Sequence, residues 1–314
     1  MRIGLVVDSA CDLPKSFIDE HKIIILPVTI RIEGENFIDK RDPQDSINFY
    51  QSHVGEKGHD AESAPFSVEQ IQALFLSRVV IDFDYAICET VTRLRSPIFE
   101  NATKASFAIL RGYKEVRKQH GVEGPFALRV INSKTLFCGQ GVLAAETIRM
   151  IQEGVHVNEI RSRIEKLSED VYSYLVPRDL YYIRARAQKK GEKSVGLIGA
   201  AIGTMLDIKP IIRAYREETG PVSKARGFEQ AAEKLLQYAA RRIRAGLQSP
   251  TICLSYGGDP EEVKQLPGYD ELMLEARNHS VQLLLSVMSV TAGVNIGPGG
   301  LGLGLTASQH EFDD

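Results

Sequence analysis

Along the first half of the chain, short apolar runs alternate with longer stretches of helical spacing. Ile3–Val7 is followed by the polar turn Asp8-Ser9-Ala10-Cys11-Asp12 and then by Pro14, so it reads as a strand feeding a helix whose first turn holds the proline. Ile23–Ile32, rich in β-branched residues, predicts one buried strand, and Tyr85–Val91 predicts another. Ser67-Val68-Glu69-Gln70 has the S-x-x-Q form of a capping box, and Val68, Ile71 and Leu74 repeat at helical spacing, so a helix starts at or just after Ser67. Ser96-Pro97 opens a further helix on which Ile98, Ala102, Ala105, Ile109, Tyr113 and Val116 keep to one face. A strand at Phe126–Ile131 and a helix from about Gly141 to Glu153 complete this half. Strands alternating with helices imply a mostly parallel sheet covered on both faces.

The second half has another rhythm. Val171–Val176 is strand-like, Val195–Leu206 is an apolar helix rich in Gly and Ala, and Ile208–Tyr215 with Val222–Arg226 flanks a Glu-Glu-Thr-Gly-Pro turn as a hairpin would. Phe228 to Arg244 predicts a long helix and Thr251–Tyr256 a strand. Asp259-Pro260-Glu261-Glu262 predicts a helix start, and Val281–Val287 a late strand. The fold class expected is α/β with two domains: an N-terminal, mostly parallel sheet domain over 1–155 and a C-terminal α+β domain over 156–314, divided after the Gly154-Val155-His156 break. Ser308 to Asp314 reads as a disordered tail.

Composition narrows the function. Lys plus Arg number 38 against 41 Asp plus Glu, a net charge of −3, so no broad positive field draws this chain onto nucleic acid. The run Ile3–Val7 is too short for a signal peptide, and Val195–Leu206 ends at Asp207, well below the roughly 20 residues that span a bilayer. A cytoplasmic protein with no transmembrane segment is expected. Cys11, Cys88, Cys138 and Cys253 show no C-x-x-C spacing and the seven histidines no paired spacing, so neither a metal site nor a disulfide framework is expected, and the cysteines read as small buried residues.

Chemistry is expected where strand ends feed helix starts, because free backbone N–H groups and a positive dipole end suit a carboxylate or phosphate. Three such junctions carry a serine: Ser9 in the first turn, Ser63 in Glu62-Ser63-Ala64-Pro65, and Ser96 at the N-cap position before Pro97. Each is also an ordinary cap or turn residue; their joint placement at the carboxyl ends of strands in one sheet is what raises the functional reading. None has a visible general base and no G-x-S-x-G elbow is present, which argues against a nucleophilic serine and against catalysis by this chain. Gly139-Gln140-Gly141-Val142-Leu143-Ala144 matches G-x-G-x-x-A, but its unit is not the first in the chain and no acidic strand end follows at the spacing a dinucleotide needs. The segment Asn295 to Gly304 is so glycine-dense that it must turn tightly or let another backbone approach closely, as at a crossing between domains; it lacks the ending of a P-loop.

Asp8-Ser9-Ala10-Cys11-Asp12-Leu13-Pro14 resembles the DS-x-x-DLP opening of DegV proteins, and further resemblances run nearly end to end. Ser63-Ala64-Pro65 is similar to the family's S-x-P motif, and Ser96 falls where its L-S-G-T segment has the serine. Asn132-Ser133-Lys134 with Gly139-Gln140-Gly141 resembles its D-S-K…G-x-G stretch. Ile208-Lys209-Pro210-Ile211 resembles its I-K-P-I strand, and Gly297-Pro298-Gly299 with Leu301-Gly302 its G-P-G-x-L-G ending. The resemblance implies two domains holding a long-chain fatty acid, its carboxylate near the domain junction on two loop serines or threonines, with no other cofactor. It also implies a fatty acid kinase as partner. The ligand-binding residues it suggests are Ser63, Ser96, Asn295, Gly297, Arg226 and Ser9. The chain departs from the pattern at Arg95-Ser96-Pro97-Ile98, at Asn295 where a histidine is common, and at Lys190-Gly191-Glu192-Lys193-Ser194; Arg226 matches a family arginine.

A lipid suits such a site energetically, since a chain of ~14 methylenes at about 0.8 kcal/mol each outweighs the roughly 1.5–3 kcal/mol of each head-group hydrogen bond. The rival reading is an enzyme or sensor acting on a small phosphorylated or carboxylated metabolite, for which no acid/base pair stands out. The basic run Arg184, Arg186, Lys189, Lys190 and Lys193 reads as a solvated loop or as a patch steering the protein toward an acidic partner or, transiently, a membrane surface.

Overall fold

A computed structural model describes residues 1–32, 34–52, 61–183 and 207–313. Strands β1 (Ile3–Asp8) and β6 (Tyr85–Thr90) are buried almost throughout and apolar up to their carboxyl ends, as strands covered on both faces must be, and end in the buried polar residues Asp8, Glu89 and Thr90. They form the middle of a parallel sheet ordered β2-β1-β6-β7, with β2 at Ile24–Leu26 and β7 at Ala127–Asn132. Side chains alternate between its faces. Val6, Ala86 and Cys88 face one core with Ile71, Phe75, Ile98 and Ala102, whereas Leu5, Val7 and Ile87 face another with Val142, Ile148, Ile160 and Ile164.

The run Ile23–Ile32 is not one strand. Pro27, which has no N–H to give to a ladder, divides it into β2 and β3 (Val28–Ile32), and β3 belongs to a separate antiparallel sheet with β4 (Glu35–Asp39) and β5 (Ala61–Pro65). Helices α1 (Lys15–Glu20) and α2 (Pro43–Gln51) flank these strands. Helix α3 (Val68–Leu74) carries the expected capping box, Ser67 and Gln70 each bonding the other's backbone, and runs on through a π turn to Asp82. The helix expected from Ser96 to Val116 is two helices, α4 (Ile98–Ala108) and α5 (Tyr113–Gln119). A 3₁₀ turn and Gly112 separate them, where the missing side chain weakens helical propensity.

The second sheet is ordered β10-β9-β8-β13-β11-β12 and is antiparallel except for the β11–β12 pair. Its strands are β8 (Val171–Val176), β9 (Ile208–Tyr215), β10 (Glu218–Arg226), β11 (Thr251–Tyr256), β12 (Gln282–Val287) and β13 (Leu301–Thr306). The β9–β10 turn is only Arg216-Glu217, both at positive φ, so Glu218 to Pro221 lie in the strand and not in the turn expected for them. The apolar segment Val195–Leu206 and the basic run from Arg184 to Lys193 lie outside the described residues.

Between the two sheets lies α6 (Cys138–Gln152), with α7 (Val157–Leu167) packed against it. Helix α6 is buried almost all round because it touches β1 and β6 on one side and β8, β11 and β13 on the other. The alternation Leu-Gly-Leu-Gly-Leu in β13 fits this position: Leu301, Leu303 and Leu305 enter the core under α8 (Phe228–Ala245), while the intervening glycines face α6. This bears out the close backbone crossing expected of the glycine-dense segment. The second motif, Gly139 to Ala144, is likewise used for packing, since a Cβ on Gly141 would lie 2.6 Å from the Asp12 carbonyl oxygen and 3.0 Å from the Cys253 sulfur.

The helix start expected at Asp259 is a 3₁₀ helix, Pro260–Gln265, capped by the Asp259 side chain, and α9 (Tyr269–Asn278) and α10 (Val290–Ile296) follow it. The terminal residues are not loose as expected. Phe312 stacks on Tyr238 with ring centroids 4.3 Å apart, His310 hydrogen-bonds the Tyr238 hydroxyl, and Asp313 pairs with Arg241 at 3.2 Å. All four cysteines are free and buried, as expected.

Candidate functional site

The carboxyl ends of β1 and β6 lie side by side, and the turns that leave them are fixed by a buried polar network. The Asp8 side chain accepts hydrogen bonds from Ala10 N at 2.9 Å and from Val91 N at 2.6 Å, tying the β1 turn to the first residue of the β6–α4 loop. Ser9 donates its hydroxyl to the Asp39 carbonyl at 2.5 Å and accepts from Val28 N at 3.1 Å. Asp12 accepts from Ser289 N at 2.9 Å and forms an ion pair with Arg41 at 3.3 Å. Asp39 accepts from both the N–H and the hydroxyl of Thr291, at 2.9 and 2.7 Å. The D-S-A-C-D turn therefore joins the parallel sheet, the small antiparallel sheet and the start of α10.

Ser96 lies on the β6–α4 loop, where its Oγ accepts from Ile98 N at 3.3 Å; Pro97, not Ser96 as expected, holds the N-cap position. The loop is pinned by Arg93 N donating to Asn132 Oδ1 at 3.2 Å and by Thr92 N donating to the Thr135 carbonyl at 3.1 Å. The β9–β10 hairpin tip sits against it: Glu217 accepts from Asn132 Nδ2 at 2.7 Å and from the Thr92 hydroxyl at 3.3 Å.

Ser63 is half-buried inside β5, opposite Ile30 of β3. It is thus not at the carboxyl end of a strand in the parallel sheet, as the spacing suggested; the residue that starts the following helix is Ser67. Helix α10 packs on β3, β5 and α2, and Tyr50 of α2 donates to the Ser289 carbonyl at 3.0 Å. Asn295, in the last turn of α10, donates from Nδ2 to the Thr291 carbonyl at 2.8 Å. Gly297 ends α10 at φ +87, and a Cβ there would lie 2.3 Å from the Tyr182 ring. Asn101 of α4 donates to the Phe66 carbonyl at 2.9 Å, tying the Ser96 helix to the chain leaving β5.

Ser63, Asn295 and Gly297 are thus carried by elements that meet around α10, and the helix after Ser96 is tied to this group through the Asn101 bond to Phe66. Ser9 lies beneath them with its hydroxyl spent on backbone partners. Arg226 stands apart, exposed at the end of β10. Beside this polar rim one apolar cluster crosses from sheet to sheet, joining Val91, Leu136 and Phe137 to Leu175, Ile212 and Ala214 of β8 and β9 and to Met288, Val294 and Ile296 around α10. Sequence reasoning missed Asp39, Arg41, Tyr50 and Glu217. Asp39-Lys40-Arg41-Asp42 reads as a solvated charged loop, and nothing in its spacing signals that Arg41 is buried.

Burial shifts the titration of this region. It pushes the Asp8 carboxyl up to about 6, against the hydrogen bonds it accepts, and pushes Glu89, bonded by the Thr147 hydroxyl, up to about 7. Asp12 is raised too, burial outweighing Arg41. Because the Glu89 carboxyl binds its proton more tightly folded than unfolded, its effect on stability is a loss as pH rises from about 4.5 to about 7. The parent should be stabilised by about 2–3 kcal/mol on moving from pH 8 to pH 5 through this group, and urea titrations of Glu89→Gln should show that gain removed. An unchanged pH slope would refute the assignment.

Among the described residues no helix is long and apolar enough to cross a membrane, and no group of His, Cys, Asp and Glu has the arrangement of a metal site. The DegV family model, described as an uncharacterised protein family, matches residues 2–308. A DegV domain-containing protein of Xanthomonas axonopodis pv. citri is 53% identical over 312 residues, covering 99% of each chain. The crystal structure of a DegV lipid-binding protein from Thermotoga maritima superposes with a TM-score of 0.75 at 21% identity, covering 99% of this chain and 100% of that one. That of a stearic acid-binding protein from Eubacterium ventriosum does so with a TM-score of 0.76 at 23% identity, covering 97% and 98%.

Proposed function

The chain belongs to the DegV family, and from that premise we propose that it is a carrier binding one long-chain fatty acid at the junction of its two domains, 1–155 and 156–314. The observation that carries this reading is the apolar cluster continuous from one sheet to the other, with Ser63, Ser96 and Asn295 on the elements at its rim. The cluster offers an acyl chain contact with both sheets, and the rim offers two hydroxyls and an amide to a carboxylate. The stearic acid-binding protein that shares the fold supports the same ligand class. In this reading Ser9 acts from beneath, by fixing the strands that carry the rim, and Gly297 gives Tyr182 room at the end of α10. The bound acid would be presented in the cytoplasm to a fatty acid kinase, the chemistry being the partner's. Arg226 and the basic run from Arg184 to Lys193 are the candidates for meeting it.

Mass spectrometry tests the core of this reading. Native protein should weigh about a few hundred daltons more than denatured protein, the mass of a buried lipid-sized ligand. Equal masses, together with no uptake of added stearate, would reject it. Ser96→Ala should weaken stearate binding by about 1–3 kcal/mol, the range for leaving a buried polar partner unmatched. Titration of stearate into variant and parent measures this, and equal affinities with the fold intact would remove Ser96 from the site.

A further inference from the structure

Asp8 stands where the exits of the two central strands meet, and every group that bonds it is a donor. Val91 N and Gln140 Nε2 both point at Oδ2, at 2.6 and 3.4 Å, and Ala10 N points at Oδ1 at 2.9 Å. Among the described residues this wholly buried carboxylate forms no ion pair, and its partners are all neutral donors. Its Oδ2 is the anchor for the first residue of the loop that carries Ser96, while its Oδ1 holds the turn from which Ser9 and Asp12 reach β3 and α10. One side chain thus fixes both flanks of the rim.

We propose that Asp8 is a positioning residue for lipid retention, holding the Ser96 loop in its binding geometry only while ionised, so that protonation of this one buried group loosens the head-group site. The proposal rests on the fatty-acid reading above. The structure supplies a place for the proton. Gln140 Oε1 is buried and has no partner among the described residues, and a half-turn of the amide brings it where Nε2 stands. A proton on Oδ2 then donates to Gln140, and Oδ2 changes from a charge-assisted acceptor of the Val91 N–H to a weak hydroxyl one.

The groups facing Asp8 set where this happens. Cys88 from β6 and Cys11 from its own turn are thiols held neutral by burial, Glu89 lies next to Cys88 on β6, and Arg41 is engaged with Asp12. Asp39 from β4 adds negative charge to the effect of burial, and together they put the transition near pH 6. The sign separates this role from a merely structural one. Since the folded state holds this proton more tightly than the unfolded chain, acidification from pH 6 toward 4 raises the contribution of Asp8 to global stability while it weakens the grip on the loop.

Stearate affinity at pH 7.5 and 5.5 tests the proposal, with Asp8→Asn as the variant, because its amide has one acceptor oxygen for the two N–H groups of Ala10 and Val91 and no charge at any pH. The parent should bind up to about fourfold more weakly at pH 5.5, where about three quarters of a group titrating near 6 is protonated, beyond any change that the ligand's own carboxyl produces equally in both proteins. Asp8→Asn should be weak at both pH values with that extra pH ratio gone. A variant that keeps the parent's affinity and pH ratio overturns the proposal, whereas a parent that binds no stearate at either pH overturns the fatty-acid reading itself. Amide hydrogen exchange on the parent decides independently of ligand and variant. After correction for intrinsic rates, protection at Val91 should fall about tenfold between pH 7.5 and 5.5 while Ala86 to Cys88 stay protected. Unchanged protection at Val91 refutes the latch.

Discussion

Replacing Arg41 by methionine is expected to remove about 3–5 kcal/mol of folding stability, the usual consequence of stranding one member of a buried ion pair. The guanidinium is 4% exposed and its partner Asp12 not at all. Nη2 also donates to the Leu13 and Val287 carbonyls, both at 3.1 Å, so the side chain joins the first turn to the strand that precedes α10. Methionine fills much of the volume but leaves the Asp12 carboxylate charged in a dry site and two carbonyls without a donor. Adding Asp12→Asn to the variant should return part of the loss, because the stranded charge is then gone. Urea unfolding monitored by far-ultraviolet circular dichroism measures both. A loss under about 1 kcal/mol in the single variant would mean that water reaches the pair.

Gly304→Ala should be nearly as damaging. The new methyl carbon would lie 2.3 Å from the Cys138 carbonyl oxygen, 2.4 Å from its carbon and 2.7 Å from Gly139 N, all backbone atoms that cannot rotate aside. Helix α6 and β13 would have to separate, and overpacking of this kind costs about 3 kcal/mol or more. The neighbouring Gly302→Ala makes the comparison: its methyl meets Ser255 Oγ at 2.7 Å and Cys138 Sγ at 3.1 Å, side-chain atoms that can turn away. Thermal melts should place Gly304→Ala several degrees below Gly302→Ala. The reverse order would show that the helix, not the side chains, yields.

Where local pattern and tertiary contact agree, the sequence could be read directly. The strands at Tyr85, Val171 and Thr251, the capping box at Ser67 and the long helix from Phe228 all follow from period and cap chemistry. Misreadings fell where one residue overrode a longer pattern, as Pro27 did in the run Ile23–Ile32 and Gly112 in the helix expected through Val116. The serines were found by their junctions, but only the fold reveals that Ser9 spends its hydroxyl on backbone partners and that Ser63 sits in a different sheet from Ser96's neighbours. Arg41 and Glu217 look like surface charges in sequence; both act across more than 80 residues of chain, as in the Arg41 bond to Val287 and the Glu217 bond to Asn132, and periodicity carries no information at that range.

The clamping of α6 between the two sheets also bears on how the molecule moves. A hinge needs a joint whose two sides can part, and here the sides are backbone set directly against backbone at Gly304 and Gly141. Rigid-body closure of one sheet over the other would have to break that contact, so it is not the soft coordinate of this fold. In the fatty-acid reading, ligand exchange would instead use excursions of shorter segments such as the β6–α4 loop and the β9–β10 tip against it, which are joined there by individual hydrogen bonds. Their rates are then set residue by residue, and the entry barrier can be tuned by a single side chain without altering the frame.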